Sequence, residues 1–172
     1  FISNSQAYMA GLVAAANYSD SGLVQISNVS VQGVILLKKS PSLRSPVIAL
    51  GGVAAYLGAG ASISQSFSDV DIINLDDTVS MVVSGGIAAS SNGSVLRSYA
   101  KGSISGVFNN AGGIVGFNAG HGFGQVINCY SFVSILGLKD SSRTSYAGGL
   151  IGVDYPGSVV STSYAAGLIA DA

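Results

Sequence analysis

The chain has 172 residues, a net charge of −1 and only 9% charged residues, against roughly 25% in an ordinary globular protein. An apolar fraction of 48% excludes a hydrophobe-poor disordered chain, and the near-zero charge offers no basic surface to nucleic acid or anionic membrane. The 24 glycines do not recur at every third position, so the chain is not collagen-like.

The length suits a single domain spanning 1–172. The chain starts at Phe1 without an initiator Met or a signal-peptide pattern, which reads as a mature chain or a fragment of a longer one. Within it, two short elements recur five times. Residues 1–35 carry Ala10-Gly11-Leu12-Val13, a turn-rich patch at 17–22, and the trio Ile26, Ser30 and Ile35. Residues 36–72 carry Gly51-Gly52-Val53-Ala54, a patch at 58–60, and Ile63, Phe67 and Ile72. Residues 73–104 carry Gly85-Gly86-Ile87-Ala88, a patch at 90–93, and Val95, Tyr99 and Ile104. Residues 105–135 carry Gly112-Gly113-Ile114-Val115-Gly116, a patch at 118–124, and Val126, Tyr130 and Ile135. Residues 136–172 carry Gly148-Gly149-Leu150-Ile151-Gly152, a patch at 154–157, and Val160, Tyr164 and Ile169.

The last Ile of each trio, counted from Ile2, recurs at intervals of 33, 37, 32, 31 and 34 residues. Each repeat has room for short strands and turns but lacks the long helix-forming runs of helical repeats. The expectation is an all-β parallel β-solenoid (β-helix) of about five coils, roughly 31–37 residues each, with a competing sandwich of hairpins set aside. At a rung spacing of about 4.8 Å such a rod is roughly 24 Å long. In register, equivalent residues stack as ladders. Phe67, Tyr99, Tyr130 and Tyr164 are expected to form one, and Ile72, Ile104, Ile135 and Ile169 another.

An offset of four from aliphatic to aromatic preserves strand parity, so the aromatics are expected inside the coil. A bulge or corner, marked by Gly102 and Gly167, would then separate aromatic from Ile. Outward-pointing aromatics would instead line a carbohydrate face. The uncharged stretch 45–68 invites a transmembrane reading, but its four glycines and its alignment with the other repeats argue against a membrane span.

Candidate chemistry is thin. His121 stands alone in a Gly-rich turn, and Cys129 is the one cysteine, in a slot that Ser66, Ser98 and Ser163 fill elsewhere. Asp69, Asp71, Asp76 and Asp77 form one acidic cluster that matches no known calcium loop. Paired carboxylates there also raise a glycan-cleaving alternative, with Arg97 and Lys101 as the nearest bases. The glycine strings lack a following helix and a phosphate-binding lysine. No catalytic residue, cofactor or metal is therefore expected. Three Asn-x-Ser sequons occur; Asn17 and Asn92 sit in turns and are candidate N-glycosylation sites, whereas Asn28 reads as lying within a strand.

Residues Ala111-Gly112-Gly113-Ile114-Val115-Gly116-Phe117-Asn118 with 126–130, and Ala147-Gly148-Gly149-Leu150-Ile151-Gly152 with 163–167, resemble the GLUG-motif repeat family. The first two repeats depart from it, with Ala14 and Ala55 in place of Gly116. The resemblance implies an extracellular or cell-surface setting and a structural or adhesive role without an active site. The expected function is a non-catalytic rod segment of a surface protein or filament; the alternative is a glycan-binding or glycan-cleaving β-helix. Expected partners are flanking repeats or identical copies stacked end to end, and surface glycans or host or cell-surface proteins. Apolar residues near both termini lead to the further expectation that both rod ends are covered in the working assembly.

Overall fold

The computed structural model describes residues 6–16, 23–38, 47–119, 124–137 and 144–171. Among these, 21 strands and no helix occur, and every strand pair is parallel. Among the described residues no helix is long and apolar enough to cross a membrane. A middle pass shows the plan: strands Met81–Gly85, Ala88–Ser91, Ser94–Leu96 and Tyr99–Gly106 follow one another around the coil. None of the four pairs with the others. Each pairs with its counterpart one pass earlier and one pass later, which gives four parallel sheets, numbered first to fourth in the order visited. Three sheets have five strands; the fourth has six because its last rung is split into Tyr164–Ala165 and Ile169–Asp171. The architecture is the expected β-solenoid. Four complete turns carry the first sheet from Gln6–Ala10 to Tyr146–Gly148, and a fifth pass supplies the final rung of each sheet.

Three columns follow the sequence spacing. Ile26, Ile63, Val95, Val126 and Val160 are successive partners in the third sheet. Ser30, Phe67, Tyr99, Tyr130 and Tyr164 are partners in the fourth, as are Ile35, Ile72, Ile104, Ile135 and Ile169. The aliphatic columns form the core, where Ile63, Ile72, Ile104 and Ile135 are fully buried.

The expected inward stack of aromatics is overturned. The chain turns from third to fourth sheet at Asn28, Gln65, Arg97, Asn128 and Thr162, all with φ between 47° and 55°. This corner lies between aliphatic and aromatic, so parity cannot be counted through it. The strand is interrupted between aromatic and Ile only in the last pass, at 166–168 around Gly167; Phe67–Asn74, Tyr99–Gly106 and Tyr130–Gly137 are unbroken eight-residue strands. Over them the odd offset of five puts the two side chains on opposite faces by ordinary alternation. Ser68, Ala100 and Ser131 point inward and are fully buried, while the aromatics before them face out. Gly102 is special only in its backbone, with φ of 108°, inside a continuous ladder.

The glycine pairs make the corner between first and second sheets. A Cβ at Gly112 would collide with the Val115 carbonyl three residues on, and Gly51, Gly85 and Gly148 stand in the same relation to Ala54, Ala88 and Ile151. The second glycine faces across the core. A Cβ at Gly86 would meet the Gly113 carbonyl of the next rung and, at 2.8 Å, the Cβ of Ala100. At Gly113 the obstacles are the Gly149 carbonyl and the Ser131 hydroxyl. The coil is therefore thinnest here, and small residues opposite the glycines are a packing requirement. Gly86→Ala is expected to destabilise by about 2–3 kcal/mol, because rigid backbone cannot retreat; a denaturant titration showing less than about 0.5 kcal/mol would contradict this packing.

Candidate functional site

The fourth sheet presents an aromatic ladder to solvent. Phe67 and Tyr99 stack at a centroid distance of 4.1 Å, Tyr99 and Tyr130 at 4.8 Å, and Tyr130 and Tyr164 at 5.5 Å. The last two pairs are within 9° of parallel. Phe132 lies edge-on against both Tyr130 and Tyr164. Each ring face inside the stack is covered by its neighbour, so the ladder shows edges and hydroxyls to solvent. A sugar ring binds an aromatic by its face, and this stripe is therefore not the carbohydrate platform that outward aromatics had suggested.

The acidic cluster does not converge. Asp69 pairs with Lys101 at 3.2 Å, and Asp71 accepts from the Ser103 hydroxyl at 2.7 Å. Asp76 lies in the turn after this strand, fully buried, and its Oδ1 accepts from the N–H and hydroxyl of Thr78. Its own N–H donates to Asn74 Oδ1 at 2.9 Å. No three His, Cys, Asp or Glu among the described residues gather as a metal site. His121 and Asn17 lie outside the described residues.

Cys129 occupies the serine slot as expected. Ser98 and Ser163 donate their hydroxyls to the carbonyls of Leu96 and Ser161, both at 2.8 Å. They accept from the N–H of Ser66 and Cys129 in the preceding rung, at 3.1 and 3.0 Å. The Cys129 thiol points to the Ile127 and Val95 carbonyls at 3.3 Å. Burial pushes this thiol's pKa up, against smaller opposing contributions from backbone hydrogen bonds at Ser98, Ile127 and Arg97. It stays protonated and serves packing.

The sequons exchange roles. Asn92 donates its Nδ2 to the Tyr56 hydroxyl at 3.2 Å, and its Oδ1 is buried, so the glycan-acceptor nitrogen is engaged. Asn28 is not within a strand; it is an exposed corner residue with φ of 55°.

A second surface has no counterpart in the sequence reading. Between the outer faces of the first and second sheets runs a groove with a floor of Ala49, Val83, Ala55 and Ala89. Its walls include Tyr8, Tyr56, Met81 and Phe117. Tyr8 contacts Tyr56 at 6.1 Å and 53°, and Phe117 contacts Tyr155 at 5.2 Å and 55°. Toward the last rung the lining turns polar, with Asn109, Asn110 and Thr144 beside Tyr146 and Tyr155. These aromatics occupy no position that recurs in all repeats, so only a change of character down one column, Ala15, Tyr56, Ser90, Phe117 and Val153, signals the groove.

Comparison with protein-family models, curated proteins and solved structures returns no match.

Tyr130→Ala removes a half-buried ring and two stacking partners and is expected to cost about 2 kcal/mol, below the roughly 3–5 of a fully buried aromatic. Cys129→Ser should stay within about 0.5 kcal/mol of the parent. Melts that rank the two substitutions in reverse would refute the ladder geometry. The Tyr130 phenol pKa is raised, first by desolvation and then by Tyr99 and Tyr164. A folded pKa above the unfolded one means that stability is whole below the unfolded value, about 10, and declines as pH rises through the folded value. Melting temperature should accordingly fall across that alkaline window, with a shallower fall in Tyr130→Phe.

Proposed function

We propose that the chain is a non-catalytic structural or adhesive rod segment of an extracellular surface protein or filament, continued at its ends by flanking repeats or by identical copies. One observation carries this reading: two core columns run through all rungs and are exposed at the last one. Ile169 is 47% exposed where its partner Ile135 is 0%, and Val160 is 43% exposed where Val126 is 1%. Tyr164, at 55% exposed, has one ring face against Tyr130 and no ring among the described residues on the other. Uncovered solenoid ends expose both strand edges and core, and association removes both from water. A copy stacked below would meet Val160 with Ile26 and Ile169 with Ile35, and would interrupt the aromatic column at Ser30. The likeness of 111–118 and 147–152 to GLUG-motif repeats supports the extracellular setting.

Sedimentation velocity at micromolar concentration tests the reading. The chain is expected to show concentration-dependent association that Val160→Lys abolishes. A monomer independent of concentration would overturn it.

A further inference from the structure

We propose that the polar end of the groove between first and second sheets is a binding site for one or two residues of a neutral glycan. The argument begins at Asn110. It stands in a column of the first sheet with Tyr8, Ala49, Val83 and Tyr146, where its two neighbours toward the N-terminus are apolar and buried. Asn110 itself is only 5% exposed, and its amide has no hydrogen-bond partner among the described residues. An amide so little exposed has only limited contact with water to replace a protein partner, and the valine of the rung above would need none. Asn110 lines the open depression of about 330 Å³ at this end of the groove, so a ligand there can satisfy its amide. Beside it, Asn109 commits its Oδ1 to the Val82 N–H at 2.8 Å, which leaves its NH2 group as a donor.

The rings complete the selection. Phe117 and Tyr155 meet at 55°, so they do not close face to face as the ladder rings do. Tyr146 and Tyr155 are about half exposed, at 53% and 50%. Among the described residues none that lines the site carries a charge, which disfavours phosphates, sulfates and uronic acids. A purely apolar ligand would leave Asn110 unpaired. A peptide strand would add to a free sheet edge, and here the edges lie at the rod ends, not along the groove. A pyranose meets every condition: its C–H face packs on an aromatic face, and its hydroxyls both donate to and accept from an amide. Asn110 and Phe117 line the site, whereas the exposed core columns end in Val160 and Ile169, so Asn110→Val and Val160→Lys separate loss of glycan binding from loss of end-to-end association.

The test uses the whole chain on an array of neutral and acidic mono- and disaccharides. Saturation-transfer NMR follows with glucose, galactose, mannose and N-acetylglucosamine at millimolar concentration. Binding to at least one neutral sugar is expected. Asn110→Val should weaken it about tenfold while leaving the melting temperature unchanged or higher, and Phe117→Ala should abolish it. Asp71→Asn, on the fourth sheet, should leave it intact. No binding to any neutral sugar, binding confined to acidic sugars, or full binding by Asn110→Val would each overturn the proposal.

Discussion

The constraint on which everything else depends is the parallel in-register stack. Each side chain stands about 4.8 Å above its counterpart in the next rung, so its environment is set first by what occupies the same position one pass away. Charge is scarce for this reason, since like would otherwise stand on like. Three of the acidic residues on the described strands obey the rule. Asp69 stands over Lys101, Asp71 over Ser103, and Asp154 accepts from the Asn118 amide at 2.9 Å. Arg97 occupies a corner column whose other members are Asn28, Gln65, Asn128 and Thr162, none of them charged.

The same constraint gives the glycine motif its meaning. In Gly112-Gly113-Ile114-Val115-Gly116 the first glycine makes room for a sharp corner, and the second admits the Ser131 hydroxyl from the opposite sheet. The third lies close to the Ser84 and Ala89 carbonyls of the preceding pass. Ala14, Ala55 and Ala89 take that third position in other repeats, whereas the first position is glycine in the second to fifth repeats. Tolerance thus follows geometry: backbone three residues away cannot yield. The corner into the fourth sheet has its own solution, in which one hydroxyl per rung accepts an N–H from the rung before and donates to a carbonyl of its own chain. The Cys129 thiol fits because sulfur can aim at the same carbonyl.

The fold was legible because the Ile positions and the glycine pairs repeat with the period of the coil, and a period survives whatever lies between its marks. Facing was not legible. The residues that make the third-to-fourth corner are Asn, Gln, Arg, Asn and Thr, and none but Asn is a usual left-handed turn residue. A corner without glycine is silent in sequence, so alternation counted through it reversed the aromatics. Asn28 was misplaced for the same reason, as it is itself the corner residue. The groove was hidden differently: it is concave only because two sheets meet at the glycine corner, and its lining comes from non-recurring residues of several passes.

The two aromatic surfaces show one rule with opposite results. In the fourth sheet four successive rungs carry a ring in one column, and the rings close upon one another at 4.1–5.5 Å. In the second sheet Ser90 stands between Tyr56 and Phe117, which leaves these rings two rungs apart, roughly 10 Å. They cannot stack on each other and lean instead toward Tyr8 and Tyr155. An uninterrupted column consumes its own faces and becomes structure, whereas an interrupted one leaves faces open and becomes a cleft. Recognition in an in-register solenoid therefore belongs where the repeat is broken, and in this chain one such break is Asn110, which follows the buried Ala49 and Val83 in its column.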